Sequence, residues 1–158
     1  MNKCIFCEIV KGRADAAKIW EDSDYIAVLD INPNVLGQTV VMTKDCLCSD
    51  VFNEDEEKFQ NFLKAVKIVA DLLKEKLNVK RVAMVAEGLG INHRHIKLYP
   101  LHGLKSSFQE MWGKDRIFFE KYEGYITTQL GPQAGMSDLK KLATKFKLSC
   151  DKSAEKIR

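Results

Sequence analysis

The chain has 158 residues, a formal charge of +3 from 25 basic and 22 acidic side chains, and 46% hydrophobic residues. These figures fit one globular domain with a sizeable core and exclude wholesale disorder, a collagen-like repeat and a large nucleic-acid surface. No apolar run approaches the roughly 18 residues of a membrane span, and the short apolar N-terminal stretch carries Glu8, which does not suit a signal peptide, so a cytoplasmic protein is expected.

The first stretch sets Cys4 and Cys7 among Ile5, Phe6, Ile9 and Val10. Lys18–Glu21 and Tyr25–Leu29 are rich in β-formers and flank a polar Asp22-Ser23-Asp24 turn, which predicts a hairpin. Asp30-Ile31-Asn32-Pro33-Asn34 is composed of loop residues, and Gly37 precedes a third strand over Gln38–Met42. From Asp55 to Leu77, Phe59, Phe62, Leu63, Val66, Ala70, Leu73 and Leu77 recur at three- and four-residue steps. That spacing predicts one long amphipathic helix, with Asn53 as its N-cap. A fourth strand is expected at about Arg81–Ala86, then a Glu87-Gly88-Leu89-Gly90 loop, a fifth strand at about Ile91–Tyr99, and a C-terminal helix after Ser137. Grouped strands around one long helix indicate an α+β fold with a mostly antiparallel sheet. The expectation is one domain over 1–158, with 101–158 an irregular and helical C-terminal extension whose last residues, 151–158, fray.

All three histidines, His93, His95 and His102, fall within ten positions. In a strand, residues two apart share a face, so His93, His95 and Lys97 are expected side by side, with Arg94, Ile96 and Leu98 opposite. Two imidazoles and an ammonium repel when all are charged, so the cluster calls for an anion, a metal or solvent. A phosphate fits His95 and Lys97; a metal fits His93. Gly88 and Gly90, lacking a Cβ, permit close approach of backbone to a ligand. Cys4-x-x-Cys7 offers half of a structural zinc site, for which Cys46 or Cys48 and His93 are candidate partners. The competing readings are an exposed polar strand face for the histidines, small buried apolar residues for Cys46, Cys48 and Cys150, and a redox pair for Cys4 and Cys7.

The run His93-Arg94-His95-Ile96-Lys97 before Pro100, the opening Cys4–Gly12, the segment Val28–Pro33 and the strand Gly37–Lys44 occur in the order found in the histidine triad family, and residues 3–100 resemble it. The resemblance implies a nucleotide hydrolase or transferase. It places His95 on the central histidine, the family's nucleophile toward an α-phosphorus, and Asp30 on the acid that binds the ribose hydroxyls. Phe6, Ile9 and Ile31 fall on apolar positions around the base. It also implies a zinc held by Cys4, Cys7, His93 and, in place of a family histidine, Cys46. A homodimer with the long helix in its interface is implied too.

Lys97 stands where the family has its third histidine. It offers a positive charge to a phosphate oxygen but lacks imidazole's facility as a proton donor near neutral pH. His102 is the candidate proton donor. Together with residues 122–132, this change marks a distinct branch. The expected activity is cleavage at the α-phosphorus of a nucleoside phosphoramidate or dinucleoside polyphosphate through a nucleotidyl-histidine, with Lys97 and the amides near Gly88 and Gly90 binding phosphate. The alternative is a catalytically idle, zinc-stabilised nucleotide-binding or interaction protein. Neither reading calls for nucleic-acid or membrane partners.

Overall fold

Strand formation follows the β-rich runs. In the computed structural model, which describes residues 4–105, 107–108, 110–112, 117–124 and 131–147, β1 (Lys18–Glu21) and β2 (Tyr25–Leu29) form the predicted hairpin. Its turn is closed by Asp22, whose Oδ1 accepts from the amides of Asp24 and Tyr25 at 2.9 and 2.7 Å. β3 (Thr39–Thr43), β4 (Val82–Val85) and β5 (His95–Pro100) complete a five-stranded antiparallel sheet in the order β1-β2-β3-β5-β4. The α+β architecture is therefore as expected.

Register sorts the side chains onto two faces. Ala27, Val41 and Ile96 are cross-strand neighbours, and all three belong to the larger core. That face is covered by α2 (Glu56–Leu77), which buries Phe62, Ala65, Val66, Val69 and Leu73, and by α3 (Met136–Lys147), which adds Leu139, Ala143 and Phe146. On the opposite face, Val28, Val40 and Lys97 form one row and Ile26, Met42 and His95 the next. There Ile26, Val28, Val40 and Met42 pack with Phe6 from α1 (Ile5–Val10). Both faces of β2 and β3 are thus covered, which accounts for their unbroken apolar runs.

Two local expectations are corrected and one element is added. The sequence pattern does not announce helix α1, because six residues give too little periodicity and so short a helix is held by packing. The N-cap of α2 is Asp55, whose side chain accepts from the Lys58 amide at 3.0 Å; Asn53 lies in the preceding turn. The fifth strand starts at His95, so His93 sits in the bend before it, with its amide bonded to the Ile91 carbonyl at 2.8 Å. Cys150 and residues 125–130 and 151–158 lie outside the described residues. Among the described residues no helix is long and apolar enough to cross a membrane.

Candidate functional site

The bend before β5 turns His93 inward until its side chain has no exposure. Its Nε2 lies 2.8 Å from the Thr43 carbonyl. A carbonyl only accepts, so Nε2 carries the proton and Nδ1 keeps its lone pair. That lone pair faces Cys4 Sγ at 3.4 Å and Cys7 Sγ at 3.6 Å. Cys46 is brought to the same point by the loop after β3. The Thr43 hydroxyl donates to the Asp45 carbonyl at 2.8 Å, and the Arg94 amide donates to the Leu47 carbonyl at 3.2 Å. The four donor atoms of Cys4, Cys7, Cys46 and His93 lie within 4.8 Å of one another.

This set fits a tetrahedral metal. Four donors each about 2.3 Å or less from a zinc ion are about 3.7 Å apart, close to the separations seen. The second imidazole nitrogen is anchored on a backbone carbonyl, as ligating histidines usually are. The thiols crowd each other. The Cys7 thiol is pushed up to about 12 by its contact with Cys46, by burial and by Cys4. Burial also raises Cys4, but amide hydrogen bonds at Cys7 and Phe6 outweigh it and its net direction is down. A divalent cation is the natural relief for such a thiol cluster. The structure thus contains a candidate Cys3His metal site.

His95, two residues on, faces a different space. Its Nδ1 lies 2.6 Å from the His93 carbonyl and must donate to it, which leaves Nε2 with a free lone pair. Burial lowers its readiness to protonate; the hydrogen bond to His93 opposes this and the nearby Lys97 ammonium adds to it, for a net downward shift. The Phe6 ring stands T-shaped to both imidazoles, with ring centroids 5.7 Å from His93 and 5.2 Å from His95. Lys97 Nζ lies 3.9 Å from Asp30 Oδ2. That carboxylate also accepts from the Asn32 amide at 2.9 Å and from Gln38 Nε2 at 2.7 Å, so Asp30 is a turn cap as well as a cleft residue.

His95 and Lys97 lie in a cleft of about 320 Å³, at the small end of the range for small-molecule sites. It gathers Phe6, Ile9, Asp30, Ile31, Gly88 and Gly90 from the sequence-derived candidates. His102 is not among its lining residues: it is exposed, and its Nε2 lies 2.8 Å from the Leu36 carbonyl. Gly88 has a structural reason to be glycine, since its φ is +72° and a Cβ there would stand 2.8 Å from the Ser49 carbonyl oxygen. Sequence reasoning missed Val28, Val40, Val85 and Leu89, which also line the cleft. The first two share the register row of Lys97, a signal visible only once the strand pairing is known.

Comparison with known proteins agrees with this fold. Residues 11–102 match the HIT domain. An uncharacterised HIT-like protein of Methanocaldococcus jannaschii is 33% identical over 102 residues, 61% of this chain and 78% of its own. Among solved structures, a HIT-like protein involved in cell-cycle regulation from Bartonella henselae superposes with a TM-score of 0.67 at 19% identity, covering 94% of this chain and 96% of that one. A zinc-bound histidine triad family protein from Mycobacterium smegmatis does so at 0.60 and 24% identity, covering 97% and 98%. With the matched domain spanning the sheet, the long helix and both histidines of the site, the chain belongs to the histidine triad family.

Proposed function

We propose that the chain is a nucleotide hydrolase that cleaves at the α-phosphorus of a nucleoside phosphoramidate or dinucleoside polyphosphate. One observation carries this reading: inside the cleft, His95 is held with Nδ1–H donated to a carbonyl and Nε2 unprotonated, beside the Lys97 ammonium. That is the arrangement a nucleophilic imidazole needs. Nε2 attacks phosphorus and forms a P–N bond, while the bond to the leaving group breaks and its electron pair departs with that group, which takes up a proton from solvent when it leaves as an amine. Water then attacks the nucleotidyl-histidine, the P–N bond returns its pair to His95, and a nucleoside monophosphate and a proton are released. Lys97 stabilises charge on the phosphoryl oxygens, Asp30 receives the ribose hydroxyls, and Phe6, Ile9 and Ile31 flank the base. Gly88 and Gly90 present backbone to the phosphate.

Cys4, Cys7, Cys46 and His93 hold a structural zinc, which fastens α1 to the sheet and takes no part in the chemistry. Support comes from the donor geometry and the zinc-bound relative. The chain acts as a homodimer in the cytoplasm with α2 in the interface; exposed Ile68 on α2 supports an interface there, and sedimentation equilibrium tests it.

The test is turnover of an adenosine 5′-phosphoramidate and of a dinucleoside polyphosphate. His95→Ala is expected to be inactive, with no nucleotidyl-enzyme trapped on alkaline denaturing quench, conditions under which a P–N bond to histidine survives. Lys97→Ala is expected to lose about 10²–10³-fold in kcat, the usual effect of removing one charge-stabilising group. Turnover by His95→Ala at the wild-type rate sinks the nucleophile assignment. A second reading, nucleotide binding without turnover, is favoured by Lys97 at the third triad position. It predicts AMP binding by a wild type inactive on both substrates.

A further inference from the structure

The Asp30–Asn34 loop carries Asp30, Ile31 and Asn32 to the rim of the cleft. Within the loop, the Asn32 amide caps on Asp30 Oδ1 at 2.9 Å and the Asn34 amide on Gln38 Oε1 at 2.9 Å. The carbonyls of Ile31 and Asn32 are met from a different part of the chain. The Ala134 amide donates to the Ile31 carbonyl at 2.9 Å, and the Gly131 amide to the Asn32 carbonyl at 3.3 Å. Gly131 lies so close that a Cβ on it would overlap the Pro33 carbonyl oxygen, with the Pro33 carbonyl carbon at 2.5 Å and the Asn34 nitrogen at 3.1 Å. All three are backbone atoms, which cannot swing aside as a side chain can. Only glycine lets the two backbones meet in this way.

Beyond Ala134 the chain enters α3, whose Leu139, Ala143 and Phe146 are buried in the main core, and Ala134 and Met136 pack against that core too. The segment is therefore anchored at its far end. It also lies outside the 11–102 region that matches the HIT domain.

We propose that Gly131–Ala134 is a strap that positions the Asp30–Asn32 wall of the cleft for nucleotide, with Gly131 the positioning residue that allows its close approach. It acts on the substrate through Asp30 and Ile31. The proposal rests on the nucleotide reading of the cleft for its ligand, but the strap itself is a contact between two backbones and is tested separately.

Three variants of the full chain test it: Gly131→Ala, which inserts a Cβ against Pro33; Ala134→Pro, which removes the amide that bonds Ile31; and Ala134→Gly, which keeps that amide. AMP affinity by calorimetry is the first readout, and amide hydrogen exchange in the 30–34 segment the second. Gly131→Ala and Ala134→Pro are expected to weaken AMP about tenfold, the scale of one lost hydrogen bond. Both should speed exchange in the loop while exchange in β2, β3 and α2 is unchanged, and Ala134→Gly should bind AMP as wild type does. If Gly131→Ala and Ala134→Pro lower the melting temperature but leave AMP affinity and loop exchange at wild-type values, the strap is only a stability contact and the proposal falls. If wild type binds no AMP, the nucleotide reading fails instead. Exchange then decides the strap: loop-confined acceleration supports it and unchanged exchange overturns it.

Discussion

At the scale of single residues, the two glycines before the triad segment have different reasons to be there. Gly88 has a positive φ and its hydrogen faces the Ser49 backbone, whereas a Cβ on Gly90 would meet nothing within 4 Å and its φ is not positive. Gly88→Ala is expected to cost about 1–3 kcal/mol, from strained backbone and crowding. Gly90→Ala is expected to stay within about 0.5 kcal/mol of wild type, as at an ordinary open position. Urea denaturation of both variants checks this; equal losses contradict it. The same contrast applies to the histidines. His93 and His95 are two residues apart, yet one turns its lone pair to thiols and the other stands in the cleft, because each ring donates its other nitrogen to a different carbonyl. The residue types announce this chemistry; the carbonyls that select each tautomer lie in the folded backbone.

At the scale of elements, α2 shows how far pattern alone reaches. Its apolar stripe is legible because 22 residues sample six turns of the 3.6-residue period. Its start is harder to read, since Asn53 and Asp55 are both good caps by type. Only the bond from the Lys58 amide to Asp55 distinguishes them. Asp55→Ala is expected to lose about 1 kcal/mol, or about 2–4 °C in Tm. Asn53→Ala should be within the error of a scanning-calorimetry measurement, and the reverse order would return the cap to Asn53. The short helix α1 is not legible, yet with its N-cap residue Cys4 it supplies two metal donors, and it forms one wall of the cleft. Its six residues have meaning only where Phe6 packs on β2 and β3.

At the scale of the whole molecule, the candidate metal site and the cleft share α1. Cys4 and Cys7 hold it to His93 and Cys46 on one side, while Phe6 and Ile9 face the cleft on the other. Protein purified without an affinity tag is expected to carry about one zinc per chain. Stripping it with a chelator is expected to lower Tm and also weaken AMP binding, because α1 loses its fastening. Metal content well under one per chain, or chelation that leaves Tm unchanged, would sink the zinc assignment. The C-terminal helix is tied into the same core. Phe146→Ala is expected to cost about 3–5 kcal/mol, a core-cavity value, whereas Trp112→Ala, at a residue 83% exposed, is expected to be near neutral. Thermal melts of the two variants test that contrast, and a large Phe146 effect supports treating the sheet, α2 and α3 as one domain.

The strand hairpin, the long helix and the α+β class were legible in the residues alone, because periodicity and turn chemistry are written over a few neighbouring positions. Tertiary structure decided which distant residues meet. Cys4 and His93 are separated by 89 positions and come within 3.4 Å. Val28 and Val40 join Lys97 through strand register, and Gly131 reaches the Asn32 carbonyl at the rim of the cleft. An element's pattern reports that one of its faces will be buried. It carries no information about which remote segment covers that face, because that choice is made by packing and by the pairing of backbone groups left open when the elements form.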